Sequence, residues 1–293
     1  MDRRCNISTR RLALVWCVIT VWTGAANADA DNWAEIIIGE TAKGASMPVL
    51  SAYGAGLDVA TAYEIQRIVV EDALETRQIG GYKAGFTSAA ARARFQLEKP
   101  LAGVLFADGQ LGDGAEIRRD AFKRLMVEVE IGYVLRSPIT RRIQSTADLK
   151  TYVLHAVPAV ELPDVNYEDL GQLNGLDIVA TNMAVAAYLV GKPFRFTDLE
   201  EVNVLEVALY RDGKLVDDGH AANALGDQLR ALLWLVNDRQ ARGWPLRAGQ
   251  LLLTGTLGKI NPGMTGNYTV NYGRGELRFR IVEGAASAAA QGR

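Results

Sequence analysis

Cysteine and histidine are almost absent from this chain of 293 residues, which contains two of each. Both cysteines, Cys5 and Cys17, lie near the N-terminus, so a chain that has lost this segment holds no thiol. Disulfides, cysteine metal ligands and a cysteine nucleophile are then excluded. A serine triad would have to use an isolated histidine, and no Gly-x-Ser-x-Gly motif is present. We interpret His155, at the end of a predicted helix, and His220, in a predicted turn, as ordinary polar residues.

The sequence also lacks an excess of charge, because its formal net charge is −2. Without a basic excess, nucleic acid is not an expected partner. Long apolar runs are missing as well, since the N-terminal run Leu12–Trp22 is too short to span a bilayer comfortably. Arginines precede this run and the small residues of Ala26–Ala28 follow it, a pattern typical of a cleaved secretory signal peptide.

We therefore predict a signal peptide over 1–28 and a mature chain that begins at Asp29. Such a protein is periplasmic or secreted and has no stable membrane insertion after cleavage. An uncleaved anchor remains the alternative, and Thr9–Leu14 faintly resembles a twin-arginine export signal.

The rest of the chain predicts an α+β protein with a small helical N-terminal region over 29–79. A sheet-rich domain follows over 80–284, and the Ala-rich tail, 285–293, is expected to fray. Irregular alternation excludes a repeated βαβ barrel and favours a mixed or antiparallel sheet with covering helices. Apolar spacing and turn residues predict helices over 32–43, 57–78, 89–95, 147–153, 178–190 and 222–242. They predict strands over 80–86, 103–106, 125–135, 202–210, 250–254, 267–272 and 276–282, near 117 and around 161.

The strand Leu125–Leu135 carries the clearest chemical signal. Its side chains alternate between faces, so Glu128 and Glu130 project from one face while valines and an isoleucine project from the other. Adjacent carboxylates resist joint ionisation unless a cation lies between them, and oxygen ligands suit Mg²⁺ or Mn²⁺. Glu161 lies in a second apolar run and offers a third carboxylate. The alternative is an edge strand with a solvated acidic face.

Five motifs, in this order and spacing, resemble the 2-keto-4-pentenoate hydratase and 4-oxalocrotonate decarboxylase group of the fumarylacetoacetate hydrolase superfamily. They are Gly81–Ser88, Gly103–Asp108, Val127–Glu130, Pro158–Glu161 and Leu251–Leu257. The resemblance spans roughly 60–282 and implies the mixed β-roll of the superfamily's C-terminal domain.

The resemblance also implies a divalent Mg²⁺ or Mn²⁺ with Glu128, Glu130 and Glu161 as its ligands. Lys83 matches the active-site lysine and is expected to act as acid, base or anion partner; the alternative is a surface lysine in a glycine-rich turn. Two weaker catalytic candidates, Asp108 and Thr254, complete this set. Substrate-binding roles are predicted for Phe86, Leu105, Asn182 and Gly255.

Three departures from the group's pattern lie around this site. Leu101 follows Pro100 where hydratases carry an acid, and Thr181 and Ala184 stand where an aspartate and a serine are typical. Asp164 begins a stretch in which relatives place Ser-Arg after the third ligand, so an arginine able to hold a substrate carboxylate is missing.

The resemblance favours hydration of a 2-hydroxypenta-2,4-dienoate type of substrate through its 2-oxo tautomer. Decarboxylation of a 2-oxo-dioate is the second hypothesis, because that reaction needs no activated water. Hydrolysis of a carbon–carbon bond in an acylpyruvate is third, and an exported, non-catalytic oxo-acid or metal binder remains a further hypothesis. By analogy with the superfamily, we expect at least a homodimer.

Overall fold

The computed structural model describes residues 24–54 and 56–284 and confirms the predicted α+β class. The signal peptide prediction lies outside the described residues except for 24–28, which open the first helix. The predicted frayed tail, 285–293, lies outside them as well. No helix in the part of the chain that the structure describes has the length and apolar character needed to cross a membrane.

Six α-helices and thirteen strands occur in the described ranges. The helices are α1 (Gly24–Lys43), α2 (Val59–Ala73), α3 (Ala89–Arg94), α4 (Thr146–Lys150), α5 (Gly175–Ala180) and α6 (Gln228–Ala241). The strands before α5 are β1 (Ile79–Gly85), β2 (Leu101–Phe106), β3 (Gln110–Gly112), β4 (Ala115–Arg118), β5 (Met126–Leu135) and β6 (Val153–Leu162). The remaining strands are β7 (Ala187–Val190), β8 (Glu206–Arg211), β9 (Lys214–His220), β10 (Leu251–Leu253), β11 (Asn261–Pro262), β12 (Gly266–Asn271) and β13 (Glu276–Val282).

The strands form two sheets. The larger sheet has the order β2-β1-β10-β5-β6-β7-β3, and β11 pairs with β5 beyond β10. It is mixed, because β1 and β10 are parallel whereas β10, β5 and β6 are antiparallel neighbours. The smaller sheet has the order β4-β13-β12-β8-β9. The acidic strand β5 therefore lies in the middle of the larger sheet, with backbone partners on both sides.

The two faces of the larger sheet meet different surroundings. On one face, residues such as Tyr82, Ile131 and Val160 join the main core with α6 and the smaller sheet. Burying each of these large side chains contributes roughly 1.5–3 kcal/mol. The opposite face carries a smaller apolar cluster, which contains Leu105, Val157, Ala159, Tyr188, Leu251 and Leu253. Because neighbours along a strand alternate faces, Lys83 and the three glutamates share this second face.

The N-terminal helices begin as their sequence predicts and then pack on the sheet domain. The Asp58 side chain accepts a hydrogen bond from the Thr61 N–H at 2.7 Å and caps α2. One buried cluster joins α1, α2, α5 and β2 through Ala30, Ala34, Ile37, Leu50, Ala62, Tyr63, Ile65, Leu101, Val179, Ala180 and Met183. The helical region thus shares a core with the elements that surround the cavity described below.

Five sequence predictions of secondary structure are wrong in part. The predicted helix 178–190 ends at Ala180, and its last residues form β7, because a short apolar run does not distinguish helix from strand. His155 lies within β6 rather than at a helix end, and His220 is the last residue of β9 rather than part of a turn. The first three residues of the predicted strand 202–210 belong to a 3₁₀ helix, Leu199–Val204, which Asp198 caps. The helix predicted over 222–242 begins only at Gln228, and the side chain of Asp227 caps its N-terminus.

Candidate metal centre and active-site cavity

The pairing of β5 with β6 brings the three predicted carboxylates together. Glu128 stands directly opposite Glu161 in this antiparallel pair, and Glu130 lies two residues further along the same face. Opposed side chains on one face have Cβ atoms about 4.5–5.5 Å apart. One carboxylate oxygen of each glutamate lies within 4.8 Å of the other two. Glu130 and Glu161 are fully buried, so the alternative of an edge strand with a solvated acidic face is wrong.

Lys83 lies against this cluster from the neighbouring part of the sheet. It occupies β1, where it pairs with Leu253 of β10, and its Nζ forms an ion pair with Oε2 of Glu161. Only 4% of Lys83 is exposed, so the alternative of a surface lysine is wrong. Glycines at 81 and 85 flank it on the same face, and a Cβ at Gly81 would overlap the Leu251 backbone. The glycine-rich motif therefore lets β1 and β10 approach closely.

Burial and mutual repulsion control the protonation of this cluster. Burial raises the pKa of Glu130 well above its usual range, and the neighbouring Glu161 raises it further. Burial also raises the pKa of Glu161 to about 7, although Lys83 opposes the change. Burial lowers the pKa of Lys83, but the three carboxylates outweigh that effect and raise it overall. Burial and mutual repulsion therefore favour the protonated forms of Glu130 and Glu161 when no cation is bound.

The donor set fits a hard divalent cation. Oε1 of Glu130 and Oε1 of Glu161 are buried without a hydrogen-bond partner in the described structure. Buried carboxylate oxygens carry a large desolvation cost unless they are paired or coordinate a metal. Three carboxylates supply oxygen ligands only, which suits Mg²⁺ or Mn²⁺ rather than a metal that prefers sulfur or imidazole. The role of the three glutamates as ligands stays a prediction.

Metal binding should strengthen as pH rises. In the unfolded chain Glu130 and Glu161 ionise near 4.5, whereas in the folded, metal-free protein their pKa values are raised, that of Glu161 to about 7. The contribution of these two groups to the free energy of unfolding of the metal-free protein is therefore greatest below pH 4.5. It falls as pH rises through about 7. A cation displaces these protons, so the rise in Tm on adding Mn²⁺ should be larger at pH 8 than at pH 6. An equal rise at both pH values would contradict the assignment.

Gly255 supports a glutamate rather than lining the cavity. Its N–H, two residues after the end of β10, donates a 2.7 Å hydrogen bond to Oε2 of Glu130. Its φ is 99°, a conformation that side chains disfavour, and an added Cβ would overlap Oγ1 of Thr87. The sequence predicted a substrate-binding role here, but the observed contact orients a carboxylate of the cluster.

Replacing Gly255 with alanine should lower both stability and metal affinity. Backbone strain and the clash with Thr87 are expected to reduce the free energy of unfolding by roughly 1–3 kcal/mol. Misplacing the donor to Glu130 should weaken metal binding by about 10–100-fold. Gly273→Ala is the matched control, since Gly273 also has a positive φ, 71°, but nothing lies within 4 Å of its added Cβ. Urea unfolding and Mn²⁺ titration measure both effects, and equal metal affinity in the two variants would contradict the role.

A cavity of about 880 Å³ opens over one side of the cluster. Lys83, Phe86 and Glu128 line it, as predicted for a metal and substrate site. Most other lining side chains are apolar and include Phe95, Met126, Pro163, Val165, Leu170, Leu173, Ile178 and Ile260. The volume lies in the range of pockets that hold small-molecule ligands.

Asp108 and Leu105 do not line this cavity. Asp108 is exposed and forms an ion pair with Arg77, in which Nη2 of Arg77 lies 2.8 Å from Oδ1 of Asp108. Leu105 is fully buried in the small apolar cluster on the site face of the sheet. Their positions give no support to a catalytic or substrate-binding role, because neither side chain borders the space beside the carboxylates.

Thr254 and Asn182 are also buried beside the cavity rather than in its lining. Oγ1 of Thr254 donates to the Ile131 carbonyl at 3.1 Å and lies 2.7 Å from Oε1 of Gln228, which ties the end of β10 to β5 and α6. Asn182 accepts from the Val104 N–H at 2.8 Å and donates to the Val104 carbonyl at 3.0 Å. Both side chains hold backbone segments and neither lines the cavity, so their predicted catalytic and substrate-binding roles stay predictions.

Two features of the cavity escaped the sequence predictions. Oγ1 of Thr256 is buried without a hydrogen-bond partner in the described structure, and Thr256 lines the cavity. Asn182, Met183 and Ala184 form a left-handed turn with φ values of 55°, 61° and 54°, a conformation that costs roughly 1–2 kcal/mol per residue. This turn places Met183 against Gly85 and Gly103, and both Met183 and Gly85 line the cavity. In the sequence, the unusual run Thr181–Ala184 was the signal that could have indicated this turn.

The fold and site define a class of protein: an α+β domain with a carboxylate cluster and a buried lysine beside a substrate-sized cavity. Residues 79–282 match the family described as fumarylacetoacetate (FAA) hydrolase C-terminal. The chain therefore belongs to this family, which confirms the resemblance found in the sequence.

Similar proteins span nearly the same length. The chain is 32% identical over 229 residues to 2-keto-4-pentenoate hydratase 1 of Dechloromonas aromatica (strain RCB), covering 78% of this chain and 86% of that one. It is 29% identical over 235 residues to the 2-oxo-hept-4-ene-1,7-dioate hydratase of Escherichia coli, covering 77% and 88%. The structure of 4-oxalocrotonate decarboxylase from Pseudomonas putida G7, complexed with magnesium and adipate, superposes with a TM-score of 0.79 and 26% identity, covering 87% and 98%.

Proposed function

We propose that this protein is a metal-dependent lyase that hydrates a 2-hydroxypenta-2,4-dienoate type of substrate, through its 2-oxo tautomer, to a 4-hydroxy-2-oxo acid. The proposal depends on one observation: buried Glu130, Glu161 and Lys83 and half-buried Glu128 form a cluster beside a cavity. The chain is also 32% identical to a 2-keto-4-pentenoate hydratase. The three glutamates would hold Mg²⁺ or Mn²⁺. Such a cation supplies charge stabilisation for the oxygens of a 2-oxo acid.

The chain's own groups supply the proton chemistry. Hydration first moves a proton along the substrate's carbon chain, so that the remaining double bond is conjugated with the 2-oxo group. Water then adds its hydroxyl to C4 and its other proton to C3. Nζ of Lys83, buried beside Glu161, is the group placed to give and take the proton that moves. The apolar lining limits the water that reaches the reacting carbons.

Decarboxylation of a 2-oxo-dioate is the second candidate, and the position of Leu101 favours it. Leu101 is buried in the cluster that packs the N-terminal helices, and Ala102 next to it is also buried. The sequence therefore offers no carboxylate at this point to activate water. Hydrolysis of an acylpyruvate is less well supported, because neither His155 nor His220 lines the cavity to act as a base.

One ultraviolet assay with product mass analysis distinguishes these functions. The protein from Asp29 onward, with Mg²⁺ or Mn²⁺, is given 2-hydroxypenta-2,4-dienoate and a 2-oxo-hexenedioate in parallel. Gain of water by the dienoate supports hydratase, and loss of carbon dioxide from the diacid supports decarboxylase. Metal binding without turnover of either would overturn both and favour a binding protein.

The proposal also covers where the protein acts and its oligomeric state. We propose that 1–28 is removed as a signal peptide and that the protein acts in the periplasm or outside the cell, on the strength of the arginine-rich start and the small-residue site at Ala26–Ala28. N-terminal sequencing of the protein from fractionated cells tests this, and a cytoplasmic chain that retains Met1 would contradict it. Light scattering tests the expected homo-oligomer.

A further inference from the structure

The side chain of Met183 covers the sheet beside Lys83. Gly103 stands opposite Lys83 in the antiparallel pair of β1 and β2, and Gly85 lies two residues beyond Lys83 on β1. Lys83 and the two glycines therefore share one face of the sheet. A Cβ added to Gly103 would lie 2.9 Å from Cβ and Cγ of Met183, and a Cβ added to Gly85 would overlap Cε of Met183. The methionine thus extends across this face, from the residue opposite Lys83 to the next position on the same face of β1.

Met183 is 4% exposed and lines the cavity together with Lys83. We propose that Met183 is a specificity-determining residue, which fills the space beside Lys83 and excludes substrates that are branched at C5. This role rests on the proposed function, in which the 2-hydroxy-2,4-dienoate is protonated at C5. The O–H bond at C2 breaks, a C–H bond forms at C5, and the double bonds move to C2=O and C3=C4. Because Lys83 moves this proton, C5 approaches the part of the cavity that Met183 borders.

The backbone that carries Met183 is strained and is held on both sides. Met183 has a φ of 61°, and its two neighbours in the turn also have positive φ values. The Asn182 side chain binds both backbone groups of Val104, and the Ala184 carbonyl accepts a 3.0 Å hydrogen bond from the Asp164 N–H. Strained backbone persists only where the surrounding structure holds it, and it clusters at functional sites. The fold therefore keeps this methionine in one place against a local conformational cost.

Packing also prevents the Met183 side chain from moving aside. It belongs to the buried cluster that joins the N-terminal helices, α5 and β2. On the sheet, Gly85 and Gly103 leave only the room that the methionine already fills. A methionine normally adapts to irregular space because its chain is flexible, but here it is packed on both sides. A branched substrate must therefore displace packed atoms, whereas an unbranched carbon chain does not.

Calorimetry with two saturated acids tests this role without relying on turnover. 2-Oxohexanoate and 5-methyl-2-oxohexanoate differ by one methyl group at C5, and neither carries a double bond that can be hydrated. In an apolar cavity with free space at C5, the extra methyl group would tighten binding by about fourfold. We expect the Mg²⁺-loaded protein to bind the branched acid about tenfold more weakly instead, because the space is already filled. Equal or tighter binding of the branched acid by the unaltered protein would contradict the proposed role.

Two variants show whether the Met183 side chain causes the exclusion. Met183→Ala and Met183→Gly should bind the branched acid about fourfold more tightly than 2-oxohexanoate, because the methyl group then enters free apolar space. Glycine adopts a φ of 61° without strain, so Met183→Gly tests the role even if Met183→Ala fails to fold. Leu170→Ala is the control, since Leu170 lines the cavity from the loop between β6 and α5 and is 37% exposed. This control should keep the preference of about tenfold for 2-oxohexanoate.

The ratio of the two affinities separates exclusion from a structural role, because loss of packing alone would weaken the binding of both acids. A preference for 2-oxohexanoate that survives in both Met183 variants, or that disappears equally in Leu170→Ala, overturns the role of Met183 and leaves the hydratase proposal standing. Absence of Mg²⁺ or Mn²⁺ binding overturns the proposed function, and the role of Met183 falls with it.

Discussion

Glu130→Gln is expected to abolish metal-dependent turnover, lowering kcat/KM by roughly a thousandfold, because charge stabilisation by the cation is worth several kcal/mol. The amide has nearly the same volume and can still accept the hydrogen bond from Gly255. Because the glutamine amide cannot supply a negatively charged ligand, Mn²⁺ should no longer raise the Tm of this variant.

The metal-free form of this variant should be as stable as the unaltered protein or more stable. Glu130 is fully buried and burial raises its pKa, so a neutral side chain removes repulsion with Glu161. Glu116→Gln is the control, since Glu116 is exposed on β4 and pairs with Arg280. Retained turnover and an unchanged Mn²⁺ shift in Glu130→Gln would exclude the carboxylate cluster as the metal centre.

Lys83→Met should reduce kcat by about 10²–10⁴-fold, the range that a well-placed acid or base contributes. The same change should lower the free energy of unfolding of the metal-free protein by about 3–5 kcal/mol at pH 8, because it removes the cation paired with buried Glu161. Saturating Mn²⁺ should restore most of that stability, since the metal then neutralises the carboxylates, but it should not restore turnover.

Measurements with and without Mn²⁺ separate the two roles of Lys83. Urea unfolding reports the ion pair, and single-turnover kinetics reports the proton transfer. Lys99→Met serves as the control, because Lys99 is exposed and does not line the cavity. If metal-loaded Lys83→Met retains full kcat, then Lys83 is a structural cation and another group moves the proton.

The sequence correctly predicted those features that depend only on residues close together in the chain. Alternation along β5 placed Glu128 and Glu130 on one face, and this depends only on the two-residue period of a strand. Asp58 and Ser88 cap α2 and α3 through hydrogen bonds to N–H groups three residues away, which the sequence shows directly. The glycines around Lys83 likewise indicated a close approach of backbone.

Positions that depend on distant partners were predicted poorly. The turn at Asn182 is left-handed because its side chain binds both backbone groups of Val104, a residue 78 positions away. Thr254 and Leu105 lie in motifs of the family, but one side chain bonds to Gln228 and the other packs in an apolar cluster. Membership in a motif therefore did not show which side chains border the cavity.

The sequence by itself determined the composition of the cluster: three carboxylates, one lysine in a glycine-rich strand, and no cysteine after Cys17. Tertiary structure alone decided that Glu161 stands opposite Glu128, because strand register is set by pairing across the sheet. It also decided that Met183 packs over Gly85 and Gly103. Those three residues are separated in the sequence, and only the folded sheet and its loops bring them together.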